Sequence, residues 1–157
     1  MLTQSTTEKL YNQDFCLWIE TTVQQLELKQ FETIDWENLI EEIKDLSGSQ
    51  KRALESLLSR LLEHLLKIGY WKSEYQHNYN HWKGEIRAFR KQIKKLLKVS
   101  PSLRPYLEDI FEECYQDARE IVADLTALSL DTFPMSPIAS LEQVLDENWL
   151  PKTCTGL

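Results

Sequence analysis

Glu42 and His64 are the residue types of a general-base pair, in which a carboxylate orients an imidazole that accepts a proton. His64 sits in "LLEHLLK", and at about 100° per residue it projects only about 20° beyond Leu57 on the apolar edge of its helix. Glu42, in "DWENLIEEIKDL", falls beside the apolar stripe of the preceding helix, so a contact between the two helices is expected. No Ser, Thr or Cys stands out as the nucleophile such a base would activate. An interhelical hydrogen bond that fixes register is therefore the preferred role, and a hydrolase-like site is the third functional reading.

Glu74, His77, His81 and Glu85 recur at i, i+3, i+7 and i+11. On a helix extended back through this region they align on one side, and two His at i, i+4 with flanking carboxylates suit zinc or another borderline divalent ion. Tyr75, Asn78, Tyr79 and Asn80 read instead as an aromatic surface turn, so these four are weak metal candidates and no cofactor is expected.

Seven bases, Lys83, Arg87, Arg90, Lys91, Lys94, Lys95 and Lys98, stand against Glu85 alone in one stretch. Opposite Trp82, Ile86 and Phe89 they form a basic stripe able to contact phosphates. The competing reading pairs this stripe with Glu108, Glu112 and Glu113 of the following helix.

The elements that must position these residues are helical. Phe15, Trp18, Ile19, Val23 and Leu26 predict a first helix over residues 8 to 29. Asp35 as N-cap and Gly48 as stop bound a short second one, and Ser49 caps a third that carries Leu54 to Ile68 and frays at Gly69. Trp82, Ile86, Phe89, Ile93, Leu96 and Leu97 seam a fourth. Ser102 as N-cap with Pro105 in the first turn starts a long fifth. "SLDTFPMSPIAS" is a loop whose Phe133 can plug onto the bundle; Ser140 and Gln143 have capping-box spacing, and Trp149 is a second anchor.

Four Gly and five Pro in 157 residues are too few for hairpins, and the length suits one core without metal or disulfide staples. The net charge of -7 argues against wholesale coating of nucleic acid or anionic lipid, but charge is segregated: Glu108 to Glu147 holds eleven acids against Arg119 alone. Cys16, Cys114 and Cys154 stand far apart, which predicts a reduced, cytoplasmic protein. No stretch approaches a membrane span, and "MLTQSTTEKL" lacks the pattern of a signal peptide. No phosphate-cradling Gly loop, H-E-x-x-H or nucleophile elbow is present.

"DWENLIEEIKDL", "LLEHLLK", the spaced set Trp82, Ile86, Arg90, Ile93, Leu96 and Leu97, "SPSLRP" and "LEQVLDENWLP" occur in that order. Together they resemble the DUF29 family, bacterial and abundant in cyanobacteria, over Tyr11 to Pro151. The resemblance implies an all-helical fold and a bacterial cytoplasmic setting, and it brings no catalytic residues with it. The chain departs from the family pattern at Glu85, where Thr is expected, and at Phe89, where Gln is expected.

The expectation is an all-α, single-domain bundle of about five main helices plus a short C-terminal helix over residues 8–151, with 1–7 and 152–157 as flexible termini. In function it reads as a non-enzymatic protein–protein interaction or regulatory adaptor module, able to self-associate as a homo-oligomer, without a membrane. Nucleic-acid binding through the basic stripe is the alternative.

Overall fold

Asp14 breaks the first apolar stripe into two helices. Its own N–H closes α1 (Gln4–Gln13) on the Leu10 carbonyl at 2.8 Å, while its Oδ1 accepts the Leu17 N–H at 3.0 Å and caps α2 (Phe15–Glu27). The single helix expected over 8 to 29 is therefore two. A carboxylate inside a helical period satisfies the orphan N–H groups of a new helix more readily than it continues an old one.

The computed structural model describes residues 3–153; Cys154 and the outermost parts of the expected flexible termini, 1–2 and 154–157, lie outside them. Four further helices follow: α3 (Trp36–Tyr70), α4 (Tyr75–Val99), α5 (Arg104–Thr126) and α6 (Leu141–Leu145). The protein is all-α, with no strand among the described residues.

Asp35 caps α3 as expected, accepting the Asn38 N–H at 3.3 Å. Gly48, however, does not stop it, and Ser49 caps nothing: the expected second and third helices are one helix of 35 residues. A glycine ends a helix by adopting positive φ, and among the described residues no glycine does so. Inside a helix, a Gly weakens it by only about 1 kcal/mol relative to Ala, which packing elsewhere along α3 offsets. Ser102 is likewise not a cap. A single 3-10 turn, Pro101–Leu103, leads straight into α5 at Arg104.

The chain divides into two compact units, Met1–Ser49 and Gln50–Leu157. In the first, α1 lies against α2, and a 3-10 turn at Phe31–Thr33 is held by Gln25, whose Nε2 donates to the Thr33 carbonyl at 3.0 Å. Trp18 and Ile34 are the only large hydrophobic side chains buried among this unit's described residues.

The second unit is a helical bundle with a dense core. Leu54, Leu58, Leu61, Leu62, Leu65 and Leu66 of α3 face Trp82, Ile86, Phe89 and Ile93 of α4 and Leu107, Tyr115, Ala118 and Val122 of α5. The segment after α5 is laid back over this bundle. Phe133 is buried to 1 % exposure, its ring 5.6 Å from Tyr70, and Ser140 and Gln143 form the expected capping box. Two buried arginines clip the segment down. Arg119 Nε donates to the Phe133 carbonyl at 2.9 Å, and Arg90 Nε donates to the Val144 carbonyl at 2.7 Å.

Candidate functional site

The first unit turns an apolar face outward. Phe15, Ile19, Val23 and Leu26 recur along α2, and Leu39, Ile43 and Leu46 recur along α3. Between the two rows runs a groove of about 310 Å³, with the buried indole of Trp18 and with Thr22 and Glu42 completing its lining. Its α2 and α3 rows read in the sequence as core faces, and in this unit they are largely exposed: Phe15 at 45 %, Ile43 at 58 % and Leu46 at 69 %. Tyr11, Phe15 and Trp18 cluster at one end, with Tyr11 edge-on to Trp18 at 4.9 Å and Phe15 stacked on it at 5.7 Å.

Glu42 lines this groove and accepts a hydrogen bond from the Tyr11 hydroxyl at 2.5 Å. That bond, with the carboxylate's charge, raises the phenol above its usual range. The pairing of Glu42 with His64 required two separate helices. Because α3 is continuous, both stand on the same helix and do not meet across an interhelical contact, which corrects the register and general-base readings of this pair.

His64 belongs to a different cluster, inside the second unit. Its Nδ1 donates to the Arg60 carbonyl at 2.8 Å, which leaves the Nε2 lone pair facing Glu85 at 3.9 Å, and its ring meets Phe89 edge-on at 5.2 Å. Burial of the imidazole lowers its pKa, and the nearby Lys67 acts in the same direction; the Arg60 carbonyl and Glu85 oppose them. The result is a neutral imidazole of fixed tautomer, held chiefly by its own helix.

The proposed metal ligands do not converge. α4 does extend back to Tyr75, as that reading needs, yet Glu74 is engaged by Asn78 at 3.1 Å, and Glu85 turns towards His64. His77 lines a pocket of about 480 Å³ with Ile68, Lys72, Tyr75 and Gln76, while His81 is exposed. Among the described residues no group of three or more His, Cys, Asp or Glu side chains is placed to hold a metal ion.

The basic stripe is smaller than the sequence suggests. Arg90 is 2 % exposed and donates from Nε to Val144 and from Nη2 to the Trp149 carbonyl at 2.9 Å, so it is an internal clip and not a phosphate contact. Lys94 pairs with Glu147 at 3.1 Å, and Lys83 lies 5.9 Å over the Tyr79 ring. Glu147 is held below the usual carboxylate range chiefly by its Lys94 hydrogen bond, with Lys91 and Arg87 adding to it. Lys83, Arg87, Lys91, Lys95 and Lys98 remain exposed along α4. Of the acids expected opposite the stripe, Glu108 is engaged instead by Arg104 at 3.2 Å.

The chain belongs to the DUF29 family, described as a domain of unknown function, whose profile matches residues 10–150. No curated protein and no solved structure matches the chain. Glu85 and Phe89 of α4 both meet His64.

Proposed function

We propose that this chain is a non-enzymatic protein-interaction module of the bacterial cytoplasm, an adaptor that docks a partner in the apolar groove between α2 and the start of α3. One observation carries the reading: six exposed large hydrophobic side chains, Phe15, Ile19, Val23, Leu26, Ile43 and Leu46, line one groove, while Trp18 and Ile34 are the only large hydrophobics buried among this unit's described residues. Soluble chains rarely leave that much contiguous apolar surface to water, and a rimmed patch of this kind is characteristic of an interaction surface. Nothing similar supports the enzyme reading, since Glu42 and His64 lie in different clusters, each with its own partner. The cytoplasmic setting rests on the family resemblance and on Cys16 and Cys114 being unpaired. No helix among the described residues is long and apolar enough to cross a membrane.

The test is capture from the native lysate after nuclease treatment, comparing the wild-type chain with the double variant Ile19→Glu, Ile43→Glu. Both positions are exposed, so the variant is expected to keep its helicity and melting temperature. A protein retained by the wild type and lost by the variant supports the reading. An identical set of captured proteins overturns it.

A further inference from the structure

We propose that the occupant of the groove is an amphipathic helix carrying Lys or Arg along the edges of its apolar stripe. This rests on the docking reading above and names the chemistry of the partner. The groove is walled by two helices whose backbone groups are already paired, so an extended peptide would find no main-chain partners there. A helix satisfies its own backbone and offers side chains alone, which is how helix-in-groove recognition works. Phe15 to Leu26 covers about 16 Å at 1.5 Å per residue, enough for about three turns of a docked helix with anchors at i, i+4, i+7 and i+11.

Charge decides between partners. Residues 3–49 carry ten acids against Lys9, Lys29 and Lys44, a net of -7 within this unit. Lys44 is paired with Glu41 at 3.1 Å. On the α2 helical wheel Glu20 and Glu27 fall about 40° to 60° past Val23, at the outer edge of the apolar row, and Glu42 stands within the lining. A second copy docking through the same face would set one acidic rim against another, and like charges across an interface oppose association. A helix with basic edges meets the rim with the opposite sign. Its apolar stripe covers the row from Phe15 to Leu26.

The experiment uses the full chain and two synthetic helical peptides that share one leucine stripe, flanked in one by Lys and in the other by Glu, with binding followed by fluorescence anisotropy and self-association by sedimentation. At low ionic strength the Lys-flanked peptide is expected to bind about tenfold more tightly or better, with the preference shrinking as the Debye length falls towards about 3 Å near 1 M salt. Glu20→Lys with Glu27→Lys is expected to erase the preference, and Ile19→Glu with Ile43→Glu to erase binding of both peptides. Equal binding, a preference for the Glu-flanked peptide, binding of neither, or a dimer that the peptide does not displace each overturns the proposal. If one of these occurs while lysate capture still depends on Ile19 and Ile43, the charge assignment fails and the docking reading stands. If capture is indifferent to those two residues, the docking reading itself fails.

Discussion

Arg90 Nε and the Val144 carbonyl lie 2.7 Å apart, with the arginine wholly inside the second unit. The same guanidinium reaches the Trp149 carbonyl, so one side chain of α4 ties down the last turn of α6 and the stretch that follows it. A planar cation with several donors in a fixed fork suits this task, and the nearby Asp146 and Glu147 favour its charge. Burial, the larger influence, lowers its pKa, although guanidinium stays protonated at any ordinary pH.

Arg90→Met is therefore expected to lower stability by about 2–4 kcal/mol, since two carbonyls lose the donor that a buried side chain supplies. Arg90→Lys recovers only part of this, because an ammonium lacks the fork geometry. Urea denaturation followed by tryptophan fluorescence measures both. A loss below about 0.5 kcal/mol, typical of a surface site, contradicts the clip.

His64 makes stability depend on pH with a definite sign. Its pKa in the folded chain is lowered from 6.5, so at intermediate pH the unfolded state binds more protons than the folded one. The contribution of the neutral imidazole is complete above 6.5 and is lost as pH falls through the lowered folded value. Denaturation midpoints between neutral and mildly acidic pH should fall more steeply for the wild type than for His64→Gln. Glu85→Gln removes a group that draws the pKa up, so an NMR titration of His64 in that variant should move it lower still. An upward movement contradicts the assigned geometry.

Gly84 lies on the exposed side of α4, and a Cβ built there meets no atom within 4 Å. Gly84→Ala is expected to stabilise the chain by about 1 kcal/mol, the helix-propensity difference between the two residues. For a chain of this size that corresponds to a rise of about 2–4 °C in melting temperature. Calorimetry that finds no rise would show that another contact occupies this side of α4.

The exposed bases of α4 serve as a control. Reversal of Lys91, Lys95 and Lys98 to Glu is expected to leave lysate capture unchanged after nuclease treatment. Capture that depends on these residues, with affinity falling steeply in salt, would favour the nucleic-acid alternative.

The second unit was largely legible in the sequence because its signals agree: the leucine period of α3, the narrow seam of α4, the stripe of α5 and the Ser140 capping box each point to the observed element. Boundaries were harder where one residue has two uses. Asp14 reads as a polar interruption and acts as a cap, and Gly48 reads as a stop and remains helical. Arg90 was legible in principle, since it projects only about 40° from Ile86 on the helical wheel while most of the other bases lie farther round. Arg119, flanked by buried Ala118 and Val122, carried a similar signal. The groove was not legible. Periodicity shows that Phe15, Ile19, Val23 and Leu26 share a face, but it does not show whether the chain itself covers that face.

The most direct test of the docking claim is amide hydrogen exchange on the complex captured from nuclease-treated lysate, compared with the chain alone. Added protection confined to α2 and the first turns of α3, residues 15–46, is the predicted result. Protection that leaves this segment unchanged and appears instead along α4 would contradict the account and move the binding site to the basic stripe.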